Sequence, residues 1–176
     1  PAVVSFPFYE LSKGAIPTTH VASPGSSAVL DFDFSSGSTL SVLIPSGALA
    51  EMSAIVFTPD TDVDERTPGG LFASGLRFDL MVCPGYVCDE PYFFGDFVTL
   101  TLHYTDADIW GLIEDELYLY VWDSIQWVDI VSQCSAGLMT YVRDPVHNSL
   151  GVPVCYFSRF VMNGGAHTQY LPILRK

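Results

Sequence analysis

Between Leu117 and Met162 the chain consists almost entirely of short apolar runs separated by turn residues, a pattern that leaves little room for helices. Leu117-Tyr-Leu-Tyr-Val-Trp122 alternates aliphatic and aromatic side chains and ends at Asp123-Ser124, so it reads as a strand entering a tight turn. Trp127 to Val131 reads as the returning strand. Cys134 and Cys155 then bracket a further hairpin whose polar turn is Arg143-Asp-Pro-Val-His-Asn148. Two cysteines on neighbouring strands, in a chain this poor in lysine, read as one disulfide pinning that hairpin. Two unpaired buried cysteines are the other reading.

The rest of the chain has the same period. Ala28 to Phe34 sets Leu30, Phe32 and Phe34 against Val29, Asp31 and Asp33, which makes a half-buried strand with its acidic side in water. Ser35-Ser-Gly37 turns it into a second strand, Ser38 to Ile44. Further strands are expected at Ala54 to Thr58, Leu71 to Val82, Phe97 to Tyr104, Phe157 to Met162 and His167 to Ile173. Ala2 to Tyr9 is strand-like but contains Pro7, which cannot donate to a ladder, so it belongs at an edge or a bulge. Ser12 to Ser27 reads as irregular, with room for one short strand near His20-Val21. The only plausible helical turn lies in Thr105 to Glu116, where Asp106 or Asp108 would cap a stretch through Gly111. The predicted fold is all-β: an antiparallel β-sandwich, jelly-roll-like, with little or no helix. It forms one domain over 1–176, with an N-terminal strand and irregular arm at 1–27 and the core sandwich at 28–176. Trp122, Trp127, Phe78, Leu100 and Phe160 are expected between the sheets.

Composition removes several classes of function. A net charge of −13, with seven scattered basic residues, repels phosphate backbones and excludes nucleic acid as a partner. No apolar run reaches the roughly 18 residues of a bilayer-spanning helix. Cys83-Pro-Gly-Tyr-Val-Cys88 has the spacing of a disulfide closing a hairpin loop, and no histidine stands beside it to make a zinc site. An even cysteine count with few lysines points to an extracellular setting. The chain starts at Pro1, as expected after removal of a signal peptide or in a piece of a longer protein.

The series Trp122-Asp123, Trp127, Cys134 and Cys155-Tyr-Phe-Ser158-Arg-Phe160 resembles the proteolysis-site segment of GAIN domains. It is also similar to the β-sandwich shared by zonula-occludens proteins, netrin receptors and ankyrins, whose strand-ending turn matches Ile44-Pro-Ser-Gly-Ala48. A closer likeness is to domains that end secreted bacterial surface proteins. Their ordered elements correspond here to Leu102 to Asp108, Leu119 to Asp123, Trp127 to Asp129, Cys155 to Phe160 and Tyr170-Leu-Pro172. The likeness covers about Ser38 to Pro172 and implies a secreted, non-catalytic structural or adhesive β-sandwich at a bacterial cell surface.

The GAIN resemblance also implies an alternative, self-cleavage. Ser158 would attack the carbonyl of Phe157, with Tyr156 standing where the family has a histidine base. A phenol of pKa about 10 is a poor proton acceptor at neutral pH. His20, His103, His147 and His167 are dispersed, and no nucleophile elbow accompanies them. Calcium is the one cofactor the residues point to, through the alternating carboxylates Asp60, Asp62, Asp64 and Glu65, though the loop is no EF-hand. A second acidic group, Asp106, Asp108, Glu114, Asp115 and Glu116, flanks Trp110. Tyr92, Phe93, Phe94 and Trp110 are candidates for a glycan-binding face, which makes a carbohydrate-binding module the third functional reading. Both ends of the chain are apolar, with Val3, Val4, Phe6 and Phe8 at the start and Tyr170, Leu171 and Ile173 at the finish. Such segments can add to an open sheet edge, so the expected partner is a second copy or another surface protein, in a homopolymeric filament or sheath.

Overall fold

A computed structural model describes residues 16–59, 72–88, 92–134 and 139–166. The strands are β1 (Thr18–Ala22), β2 (Ala28–Asp33), β3 (Thr39–Ile44), β4 (Ser53–Pro59), β5 (Phe72–Pro84) and β6 (Phe93–His103). They continue with β7 (Leu112–Trp122), β8 (Trp127–Asp129), one helical turn α1 (Ile130–Gln133), β9 (Val142–Asp144), β10 (Ser149–Tyr156) and β11 (Arg159–Ala166). Two antiparallel sheets result, one ordered β1-β4-β5-β11-β7-β8 and the other β2-β3-β6-β10-β9. The pairs β2–β3, β4–β5, β7–β8 and β9–β10 are hairpins within a sheet, while the other connections pass from one sheet to the other. The all-β sandwich expected from the period-two pattern is the fold observed.

Alternation explains which side chains fill the interior. Leu30 and Phe32 of β2, Val98, Leu100 and Leu102 of β6, and Leu117, Leu119 and Val121 of β7 are buried in one core cluster. Its centre is a run of phenylalanines. Phe32 stacks on Phe57 at 4.9 Å, Phe57 lies 5.9 Å from Phe78, and Phe78 stacks on Phe160 at 5.3 Å. Phe34 meets Phe57 and Phe78 edge-on. These rings come from both sheets, so the run ties the layers together. The β2–β3 turn that aligns this hairpin depends on Gly37, which at φ +91° occupies a conformation open to glycine at little cost.

β4 is buried on both faces. Ile55 and Phe57 point into the main core, whereas Ala54 and Val56 form a second cluster with Cys83 and Cys88 on the outside of the sheet. The Cys83–Cys88 disulfide forms as expected. It closes no hairpin, however, because β5 and β6 lie in different sheets. Its loop instead turns back over the outer face and covers Ala54 and Val56.

Four other expectations are corrected. The helical turn lies at Ile130–Gln133, capped by Asp129, which cuts the returning strand at Trp127 short. Residues 105–111 are successive turns ending at Gly111 (φ +83°), and β7 starts at Leu112. Asp108 caps no helix. Its carboxylate accepts from the Ser38 hydroxyl and from the Thr105 hydroxyl (2.6 Å) and amide (2.9 Å), and its carbonyl accepts from Gly75 N at 3.1 Å. Asp108 thereby joins β5 of one sheet to the start of β3 in the other. Cys134–Cys155 also forms, but Cys134 caps α1 and Cys155 sits on β10, so the bond crosses between layers rather than pinning a hairpin. Finally, Trp122 faces outward. It is directly opposite Trp127 on β8, with ring centroids 5.5 Å apart. Trp127 is buried on that outer face rather than between the sheets, and its Nε1 has no hydrogen-bond partner among the described residues. Phe78, Leu100 and Phe160 are in the core as expected. The short strand anticipated near His20 is β1. The segments 2–9, 60–70 and 167–173 lie outside the described residues.

Phe160→Ala should cost about 3–5 kcal/mol, as expected for a buried phenylalanine, and Trp122→Ala distinctly less. Urea denaturation of both variants tests this, and equal losses would contradict their placement on opposite faces. A second prediction concerns Asp108. Burial pushes its carboxyl up, but the hydrogen bonds from Ser38, Thr105 and Ser36 together outweigh burial and hold it below the ordinary value. A depressed folded pKa stabilises above the unfolded value, about 3.9, and that contribution disappears as pH falls through the folded value. Asp108→Ala should therefore lower the melting temperature clearly at pH 7 and much less near pH 2, as followed by circular dichroism.

Candidate functional site

Ser158 lies in the corner where the chain leaves β10 and crosses to β11. Its hydroxyl donates to the Trp122 carbonyl at 3.1 Å, and its own carbonyl accepts from Leu80 N at 2.9 Å. Phe157 is turned into the core, 4.7 Å from Phe94. The Tyr156 ring rests 5.5 Å from Phe93, and its phenol is raised above the ordinary value by burial and then by Asp123. A phenol so raised keeps its proton at neutral pH. What these contacts accomplish is to fasten the corner to β7 and β5.

The described histidines His20 and His147 make local contacts. His20 packs edge-on to Phe32 in the core, while His147 pairs with Asp144 at 2.6 Å in the exposed β9–β10 turn. Among the described residues, no group of three or more His, Cys, Asp or Glu side chains is arranged to hold a metal ion. The calcium candidates Asp60, Asp62, Asp64 and Glu65 lie outside those residues, as do Val3, Val4, Phe6, Phe8, Tyr170, Leu171 and Ile173. The aromatic set is not brought together either. Tyr92 and Phe94 pack against the core, Phe93 is exposed, and Trp110 lies beyond the other end of β6.

The two flanks of the sandwich differ. On one flank, β8 covers only Tyr120 to Trp122 of β7, which leaves the earlier part of that edge without a strand among the described residues. Sheet-to-sheet contacts close the gap. The Tyr141 hydroxyl, just before β9, accepts from Leu119 N at 3.0 Å and lies 2.6 Å from Asp129 Oδ1, to which it donates. Arg143 of β9 donates to the Leu117 carbonyl through Nε at 3.1 Å and Nη2 at 2.7 Å. Its guanidinium lies between Tyr118 and Tyr141, 5.0 and 4.7 Å from their ring centroids. Burial first, and then the Asp129 hydrogen bond, push the Tyr141 phenol far above the ordinary value, so it acts only as a neutral hydroxyl. With Cys134–Cys155 beside it, this clamp closes the β8–β9 flank.

On the other flank, β1 pairs only with β4 and β2 only with β3 among the described residues. β2 turns Asp31 and Asp33 outward, charges that discourage pairing with a like strand. β1, Thr-Thr-His-Val-Ala, has no charged carboxylate or ammonium group, and Val21 is half exposed. Sequence reading missed both the clamp and this contrast, because Arg143 looked like a turn residue and Tyr141 carries no local signal of a contact with β7.

Tyr141→Phe should destabilise the fold by about 1–3 kcal/mol, because it strands the Leu119 amide and takes one of its donors from Asp129, which keeps only the Val131 amide among the described residues. Chemical denaturation measures it, and an unchanged midpoint would show that the clamp contributes nothing.

No protein-family model matches the chain, and no curated protein is significantly similar to it.

Proposed function

We propose that this chain is a non-catalytic structural or adhesive β-sandwich of the bacterial cell surface, and that it joins neighbouring copies by strand addition. The observation that supports this best is the contrast between flanks: one is clamped by a disulfide and cross-sheet hydrogen bonds, while the uncharged β1 has one strand partner among the described residues. An uncharged edge offers free amides and carbonyls to an incoming extended segment. The alternating Val4, Phe6 and Phe8 of the N-terminal segment have the chemistry of such a strand, as do Tyr170, Leu171 and Ile173 near the other end. Two disulfides suit an oxidising compartment, and the resemblance of the motif series to the last domains of secreted surface proteins supports a surface setting. A donor from one copy entering the edge of the next makes a head-to-tail contact, which propagates unless rotation closes a ring.

Sedimentation velocity across a concentration series is the direct test. The full chain should form species that grow with concentration, and these should disappear on deletion of residues 1–9 and in Thr19→Lys/Val21→Lys. A chain that stays monomeric throughout would reject assembly. A truncated chain that assembles like the full one would reject donation from the N-terminus.

A further inference from the structure

The connection between β6 and β7 projects Trp110 into solvent with 88% of its surface exposed. Ile125 and Val146 are about as bare, so exposure alone marks no site; what sets Trp110 apart is the broad flat face an indole offers to an apolar partner. Beside it lies an open depression of about 460 Å³, within the size range of small-ligand sites, bordered by Asp106, Glu114, Asp115 and Pro145. The Asp106 carboxylate is held in place by Asn148 Nδ2 at 2.9 Å. Those of Glu114 and Asp115 have no side-chain partner among the described residues. The field here is strongly negative. Tyr104, close by, has its phenol pushed up to about 12 by burial and then by Glu114, Asp144, Asp115 and Asp106.

We propose that this depression binds a saccharide bearing free amino groups, with the apolar face of one pyranose ring stacked on Trp110 and its ammonium group facing Glu114 and Asp115. A flat exposed indole matches the C–H face of a sugar ring, and carboxylates accept hydrogen bonds from hydroxyls and ammonium groups alike. Charge complementarity selects the class: acidic sugars are repelled, neutral ones gain the stacking alone, and amino sugars gain both. The site is built from the turns between β6 and β7, the start of β7 and Pro145, and takes no residue from β1, so it does not rest on assembly.

Isothermal titration calorimetry with fully deacetylated glucosamine tetramer, its N-acetylated counterpart and tetralysine tests the proposal. The deacetylated tetramer should bind best. Trp110→Ala, at a position too exposed to affect folding, should weaken it at least about tenfold, the equivalent of 1.4 kcal/mol. Glu114→Gln/Asp115→Asn should reduce its affinity to that of the N-acetylated tetramer, with melting temperature confirming that both variants are folded. No binding of the deacetylated tetramer, equal binding of the N-acetylated one, or binding untouched by Trp110→Ala would each overturn the proposal. Tetralysine binding as tightly through the same residues would replace the saccharide with a basic peptide.

Discussion

The phenylalanine run Phe32–Phe57–Phe78–Phe160 is the contact on which the rest of the molecule depends. A single sheet with one apolar face has nowhere to bury it, so each layer is stable only against the other. Aromatic pairs at these separations contribute about 0.5–1.5 kcal/mol each beyond the area they bury. Rings from β2, β4, β5 and β11 therefore hold both the distance between the layers and the register of each strand. A slip of one residue in any of them would turn its ring out to water.

Bringing the layers together creates a second demand, since every sandwich has side edges where backbone groups lack partners. Here the two sides meet it differently. Along β7 the open Leu119 amide is met by the Tyr141 hydroxyl and the open Leu117 carbonyl by Arg143, side chains at and just before β9 of the opposite sheet, and the Cys134–Cys155 disulfide also closes that flank. Along β2 outward aspartates deter a like strand. β1 has neither device. The polar residues least expected from a strand pattern, Asp108, Tyr141 and Arg143, thus span the two layers, and the apolar ones follow the period of the strand.

The same crossings build the ends of the molecule. Because β6 and β7 belong to different sheets, the chain between them must climb from one layer to the other, and Asp108 anchors that climb to both. Tyr104 and Ile109 of that connection turn into the core, while Trp110 faces solvent with no strand among the described residues to cover it. A rigid scaffold presenting an irregular connection is the usual place for recognition to reside.

Fold class, strand positions and cysteine pairing were legible in the chain because they rest on local signals: a period of two, turn residues and short cysteine spacing. Leu30, Phe32, Leu100 and Leu102 sit where that period sends them. The phase of β7 was not legible, since Leu117, Leu119 and Val121 alternate with Tyr118, Tyr120 and Trp122, and both sets look suited to a core. Tertiary packing chose the aliphatic set and left the aromatic one half-buried on the outer face. The helical turn at Ile130, the Tyr141–Arg143 clamp and the depression beside Trp110 were also decided only in three dimensions. Each joins residues that no local pattern links, across two sheets whose pairing order is a property of the whole fold. The sequence by itself determined that this protein is a β-sandwich with two disulfides; which edges are closed, and what stands exposed at its ends, followed from how the layers pack.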